Sequence, residues 1–519
     1  MRFKESSFIL LILFIYIDAA NILALFPVKL KSHYSILDTI TTELASRGHN
    51  ITIISSFPKS KKPNITVIDV SECITLSDAT FSIDKFLKIK NLFSIIYVLL
   101  NYTNYFNEVF SCEPMQRLLN SSSTFDLHMI HIYNSNVMLA LKKKFQAPHI
   151  YISVGSLMPW STEIMGSPDN PSYISYPNTD YPLNSLKSTF FQRLYNMLGY
   201  ITAKLLFHYY LFTDGQRAAK KYFNVNYSQI QEYAKNTSLM LTFSHFSINT
   251  ARPLLPNVIE ISGLQIKNAS SLPKEIEKFI NESEHGVIYF SMGSLLKSET
   301  MSEAKRKAFL HVFSKVPQRV LWKWNNDTLP GKTSNIFVSK WFPQRDVLSH
   351  PNIKLFISHG GALGLSEAIY EGVPILGIPI FMDQILNLKI IESQGAAEIL
   401  EYTDINEKTV LSKIELILKN NTYLENMKKM SMIYKDRPMS AMNTAIYWIE
   451  YVIRHKGAPH LCSAAVDLPL YQYLLLDVIA FCTFILITLL IMFYYCFKIL
   501  IKFARTKSKL KRLDLKKRK

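Results

Sequence analysis

Apolar and polar positions repeat along this chain at two periods, and the switches between them outline its elements. Ile22 to Phe26 is a short apolar run, Ile36, Leu37, Ile40 and Leu44 recur at helical spacing, Gly48 acts as a stop, and Ile51 to Ile54 is apolar again. This order predicts a β-α-β unit. A loop rich in Pro and Lys, Pro58 to Pro63, leads to a further strand over Ile65 to Val70. A second, cleaner series predicts strands over Val287 to Ser291, Val320 to Trp324, Ile336 to Ser339, Ile353 to Ser358, Val373 to Ile378 and Ala397 to Leu400, with Gly372 and Gly395 as helix stops. Strands alternating with helices imply an α/β protein whose parallel sheets are covered on both faces and bind ligands beyond the carboxyl ends of their strands. The stretch Arg252 to Gly263, rich in Pro and Gly, is expected to link two domains. Two aromatic-rich stretches with few charges, Thr80 to Phe110 and Tyr181 to Phe212, are expected to be core ahead of lining a pocket for greasy ligands.

The two ends of the chain add location. Arg2 and Lys4 precede the apolar run Phe8 to Ile17 and the small pair Ala19 and Ala20, which reads as a secretory signal over residues 1–20. Val478 to Phe497 carries no charge over twenty residues. At a rise of 1.5 Å per residue this run spans about 30 Å, the hydrocarbon thickness of a bilayer. The net charge of +18 looks like a nucleic-acid signal until it is located: residues 498–519 hold eleven basic residues and one acid. More than half of the excess is therefore a tail, and no basic stripe accompanies an aromatic platform, so a nucleic-acid partner is not expected. The positive-inside rule places that tail in the cytosol and residues from about 20 to 477 in the lumen, a single-pass type I arrangement. Sequons at Asn50, Asn64, Asn101, Asn120, Asn226, Asn236, Asn268, Asn281, Asn326 and Asn420 all fall on the lumenal side. Outside the span only Cys73, Cys112 and Cys462 remain, enough for one bridge and too few for a disulfide framework. Lys516-Lys517-Arg518-Lys519 matches a dilysine retrieval signal of the endoplasmic reticulum membrane. With 48% apolar and 19% charged residues, disorder, collagen and coiled coil are excluded.

Candidate chemistry gathers after one strand. Ser358-His359-Gly360-Gly361 follows the run Ile353 to Ile357 and opens a helical segment, so backbone N–H groups and the helix dipole can receive an anion. The motif is neither a P-loop nor G-x-G-x-x-G, which disfavours an ordinary NTPase or dinucleotide enzyme. Trp341 and Gln344 lie upstream, Glu367 two turns into the helix, and Asp383-Gln384 with Asn387 after the next strand. An aromatic platform, a diphosphate seat, a carboxylate for vicinal hydroxyls and an acid-amide pair for a sugar compose a nucleotide-sugar site.

The stretch Trp341 to Gln384, WFPQRDVLSHPNIKLFISHGGALGLSEAIYEGVPILGIPIFMDQ, resembles the donor signature of the UDP-glycosyltransferases, also called UDP-glucuronosyltransferases, and IYFSMGS and RPLLPNVIEISGLQI look most like insect members. The resemblance implies a GT-B fold of two Rossmann-like doubly wound domains, residues 21–250 for the acceptor and 251–465 for the UDP-sugar, followed by a transmembrane helix over 478–497 and a tail over 498–519. It implies that Trp341 stacks on uracil, Gln344 bonds it, Glu367 holds the ribose hydroxyls, and Asp383 and Gln384 grip the sugar. His359, Gly361 and the Ser291 to Ser294 turn would surround the diphosphate. Gly364 stands where the family usually has Ser. Neither a metal nor another cofactor is expected, the UDP-sugar being a co-substrate.

The resemblance also assigns catalysis to His33, in the loop after the first strand, as the base that deprotonates an acceptor hydroxyl for inverting attack. The expected partners are UDP-glucose, or UDP-glucuronate, and small lipophilic hydroxyl compounds, in a membrane protein that can be a homo- or hetero-oligomer. One slot departs from the family pattern. The acid that orients the histidine lies a few residues past an FD pair, and here that slot falls on His131, with Asn136 next and Asp126 expected to be structural. Loss of an orienting carboxylate costs rate in related systems. A second reading therefore stands beside the transferase: an impaired member that binds UDP-sugar or a hydrophobic ligand as a carrier or partner subunit.

Overall fold

A computed structural model describes residues 19–57, 62–74, 83, 105–133, 135–177, 179, 188–210, 215–294, 296, 298–326 and 328–517. The expected signal segment up to residue 18, Asn101, Asn134, most of Thr80 to Phe110, part of Tyr181 to Phe212 and the last two residues of the dilysine signal lie outside these. The chain divides into one unit ending at Ser463 and a second beginning at Ala464.

The first unit is built on two parallel sheets. One takes β1 (Asn21–Phe26), β2 (Asn50–Ser55), β3 (Ile65–Asp69), β4 (Leu127–His131), β5 (His149–Ser153), β6 (Leu239–Thr242) and β7 (Val258–Glu260) in the order β3-β2-β1-β4-β5-β6-β7. The other takes β8 (Val287–Ser291), β9 (Arg319–Lys323), β10 (Ile336–Ser339), β11 (Ile353–Ser358), β12 (Ile375–Gly377) and β13 (Ala397–Ile399) in the order β10-β9-β8-β11-β12-β13. Every expected strand is present, with its ends within two residues of the expected ones. Strands β5, β6 and β7 were not expected, and β7 lies inside the Arg252 to Gly263 stretch read as a linker.

Each sheet is covered on both faces, as parallel sheets require. In β1, Leu23 and Leu25 enter one core with Tyr105, Phe110 and Tyr151, while Ile22, Ala24 and Phe26 enter another with Ile36, Ile40 and Leu44 of helix α1 (Lys31–Ser46). In β8, Val287 and Tyr289 face Ile369 and Leu388, and Ile288 and Phe290 face Phe309 and Trp322. Fully burying one such side chain contributes about 1.5–3 kcal/mol.

Helix α2 (Gln344–Ser349) follows β10, α3 (Ala362–Glu371) follows β11 and ends on Gly372 at φ 74°, and α4 (Gln384–Ser393) follows β12. Helix α5 (Ala441–Arg454) crosses back from the second half: its Ala445, Ile446 and Ile449 share a core with Ile22, Ile40 and Leu44. Arg47 and His49 each lie 3.7 Å from Glu450 of α5. A single disulfide joins Cys73 to Cys112, leaving Cys462 reduced. The described part of Tyr181 to Phe212 is a helix over Phe190–Tyr210 that is core on one side only: Tyr200, Ala203 and Phe207 are buried, whereas Phe191 and Leu205 are exposed.

The second unit contains helix α6 (Leu476–Lys517), of which Leu476–Lys511 is long and apolar enough to cross a membrane. The charge-free run 478–497 sits inside it, and the helix continues into the basic tail.

Candidate active site

Because all strands of a sheet run the same way, their carboxyl ends share one edge, and loops from both sheets meet there in a cleft of about 680 Å³. All ten expected site residues, His33, Ser291, Ser294, Trp341, Gln344, His359, Gly361, Glu367, Asp383 and Gln384, line it.

On one wall, β1 feeds α1, and His33 sits in the first turn of that helix rather than in the preceding loop, where sequence reading had put it. Strand β4 ends on His131. Its alternate residues Leu127 and Met129 belong to the α1-side core, so the pleat turns His131 toward α1 as well. His131 Nε2 lies 3.0 Å from His33 Nδ1. The residue in the expected acid slot is thus a direct partner of the expected base. Phe26 and Tyr133 flank the pair, with ring centroids 4.1 Å and 5.9 Å from that of His131. Desolvation lowers the His33 imidazole to about 4 and holds His131 well below its ordinary value, so both rings are neutral near pH 7. Asp126 lies at the opposite end of β4 and accepts from the Asn21 backbone N–H at 2.7 Å, a structural role as expected.

On the other wall the groups are fixed by hydrogen bonds among themselves. Gln344 donates from Nε2 to Glu367 Oε2 at 2.7 Å, and its Oε1 accepts from the Tyr289 hydroxyl at 3.2 Å. Burial raises the Glu367 carboxyl, opposed by that hydrogen bond and by Arg345. A Cβ on Gly364 would stand 3.2 Å from Gln344 Nε2, so the glycine in place of the family's Ser leaves this amide its room. Asp383 accepts from Asn387 at 2.8 Å, and burial raises its carboxyl. Gln384 Oε1 accepts from the backbone N–H of Ile380 and Phe381, which secures the turn holding Met382 at φ 58°. Trp341 is 55% exposed and lines the cleft.

The turn after β11 explains its glycines. Helix α3 opens at Gly361, which has no side chain to occupy its first-turn N–H groups. A Cβ on Gly361 would lie 2.5 Å from His359 Nε2, and one on Gly293 would lie 2.4 Å from His359 Cε1. Desolvation, then Lys323, lowers the His359 imidazole to about 4, so the ring is neutral near pH 7.

The cations come from residues the sequence reading passed over. Lys323 ends β9 and donates to the Gly293 carbonyl, and burial lowers its amine to about 8. Lys31 Nζ sits 4.1 Å from the centre of the Trp341 ring and Lys323 Nζ sits 5.0 Å from it. A lysine closing an apolar strand in a parallel sheet was the available signal, since strand ends form the site.

The family model for UDP-glucoronosyl and UDP-glucosyl transferases matches residues 21–510. The chain belongs to the UDP-glycosyltransferase family. It is 48% identical to UDP-glycosyltransferase UGT5 of Dactylopius coccus over 93% of this chain and 92% of that one. Human UDP-glucuronosyltransferase 1A9 is 30% identical over 90% and 89%. Among solved structures, the calicheamicin glycosyltransferase CalG4 aligns at TM-score 0.54 and 14% identity, covering 84% of this chain and 99% of that one. Phytolacca americana UGT2, complexed with UDP-2fluoro-glucose and pterostilbene, aligns at TM-score 0.54 and 12% identity over 84% of this chain and 99% of that one. At such identities these structures speak for the fold: this UDP-glycosyltransferase has the GT-B architecture.

Proposed function

We propose that this UDP-glycosyltransferase transfers a hexose, glucose ahead of glucuronate, from its UDP-sugar to a hydroxyl of small lipophilic acceptors, with inversion at the anomeric carbon. The observation that carries the reading is the meeting of His33 with the donor-side groups in one cleft. Neutral His33 takes the hydroxyl proton while the hydroxyl oxygen attacks opposite the departing UDP. Trp341 and Gln344 receive the uracil, Glu367 the ribose, the α3 N-terminus and the Ser291 to Ser294 turn the diphosphate, and Asp383 with Gln384 the sugar. Lys323 and Lys31 supply the positive charge, so no resident metal or other cofactor is invoked. Leu30, Ile132, Tyr133, Val154 and Met158 give the acceptor wall its apolar character, which suits greasy hydroxyl compounds. The apolar run 478–497 of helix α6 and the basic residues after that run favour a single-pass endoplasmic reticulum protein with a lumenal cleft.

The test is UDP release from microsomes expressing the chain, with UDP-glucose and UDP-glucuronate assayed separately against a phenol and flavonoid set. Acceptor-dependent release, faster with UDP-glucose and lost in Glu367→Ala, is expected. No release with either donor, alongside retained UDP binding, would replace the transferase with a carrier.

A further inference from the structure

A hydrogen bond between two neutral imidazoles has one proton to place. If His131 Nε2–H donates to His33 Nδ1, the His33 proton sits on Nε2, the nitrogen left for the cleft, and His33 cannot accept from a hydroxyl. If His33 Nδ1–H donates to His131 Nε2, the lone pair of His33 Nε2 is free. The second arrangement puts the His131 proton on Nδ1, a buried atom with no hydrogen-bond partner among the described residues. No charge fixes the choice in advance; a hydroxyl donating to His33 Nε2 selects the second arrangement when it binds. Phe26 packs on the His131 ring, and Tyr133 lies parallel to it at an interplanar angle of 10°, so the ring is confined between two aromatic neighbours beside His33.

We infer that His131 is the positioning residue for His33, accepting its Nδ1–H in place of the carboxylate usual at that slot and sharing the proton the acceptor gives up; this rests on the transfer reaction proposed above. The O–H bond of the acceptor breaks as its oxygen bonds to the anomeric carbon and the bond from that carbon to the diphosphate oxygen breaks. The hydroxyl proton goes to His33 Nε2. The Nδ1 proton can then pass to His131 Nε2, so the positive charge spreads over two rings while UDP leaves with the electron pair. The titratable groups that line the cleft with His33 are Lys31 and Tyr133 on its own wall, and Tyr289, Lys323, Arg345, Asp346, His359, Glu367 and Asp383 on the other. None of the carboxylates among these is on the strand or helix that carries the two histidines.

The full-length chain with His131→Leu, His131→Gln and His131→Asp provides the test. His131→Leu should lower kcat roughly 10- to 100-fold while the KM for UDP-glucose stays within about twofold, because only the base is disturbed. His131→Gln, whose amide oxygen can accept Nδ1–H, should recover part of that loss. His131→Asp should move the acid limb of the kcat/KM profile to higher pH by roughly one to three units, since a carboxylate favours protonated His33. Movement of that limb reports direct contact with His33, and recovery in His131→Gln over His131→Leu separates acceptance of Nδ1–H from packing alone. An active wild type that His33→Ala silences, with an unchanged kcat in His131→Leu or an unmoved limb in His131→Asp, would overturn the inference. A wild type without any transfer would overturn the proposed reaction instead, and the pairing would then be read from the pH midpoint of His33 carbethoxylation by mass spectrometry. That midpoint should be higher in His131→Asp than in wild type, and an unchanged midpoint would overturn the pairing as well.

Discussion

The two walls of the cleft are prepared differently. The donor wall carries Gln344 bound to Glu367, Asp383 bound to Asn387 and Gln384 bound to its own turn, so its polar groups are already aimed. On the acceptor wall the His33 and His131 pair stands beside the apolar Leu30, Ile132, Val154 and Met158, with the small hydroxyls of Ser32, Ser35, Thr39, Ser153 and Ser156 along the same side. Under the proposed transfer reaction, the contrast is between a substrate fixed by the fold and one held loosely. Recognition of a nucleotide needs directional donors and acceptors held in advance, because buried polar groups left unpaired are costly. Recognition of lipophilic compounds needs apolar area and a base.

The sharpest way to break the comparison is at the base. His33→Ala should lower kcat by about 10² to 10⁴ with UDP affinity unchanged, as removal of a general base does; steady-state kinetics beside UDP titration would show it. Next comes Gly361→Ala on the donor wall. Its Cβ must displace the His359 ring, and overpacking of this kind costs about 1–3 kcal/mol of stability; the displaced ring should also weaken UDP binding, as calorimetry would show. Trp341→Ala should raise the Kd for UDP about tenfold, in line with about 1–3 kcal/mol for base-aromatic stacking, and leave the base untouched.

The smallest expected effect sharpens the charge assignment. Burial lowers the Lys323 amine to about 8, so its charged fraction falls as pH rises through 8. Diphosphate favours the charged form and pulls the amine back up on binding. Affinity for UDP should therefore decline severalfold between about pH 7 and 9, and Lys323→Met should bind more weakly at pH 7 with that slope flattened.

The same division governs what could be read before the structure. The second sheet was legible strand by strand because its apolar runs are separated by Gly and by helical periodicity, and the donor residues followed from a long stretch with mixed chemistry. In the first half, β5 and β6 are only five and four residues long and buried on both faces, so they lack the alternation that marks a strand. Strand β7 hid in a Pro and Gly-rich stretch because a three-residue edge strand needs no more pattern than that. Lys323 and Lys31 were missed because a single lysine carries no signal until the sheet edge is known. His131 was found by position, as the residue in the acid slot, but its role was not. Whether a histidine there abandons His33 or pairs with it depends on a 3.0 Å contact between two elements 98 residues apart.

One measurement reaches the centre of this picture: UDP affinity and glucosyl transfer determined on the same preparation of His33→Ala. Transfer lowered at least about a hundredfold with UDP affinity within about twofold of wild type is the predicted result, because the base and the donor seat are separate devices in one cleft. Undiminished transfer in His33→Ala, or affinity and transfer falling together, would contradict it.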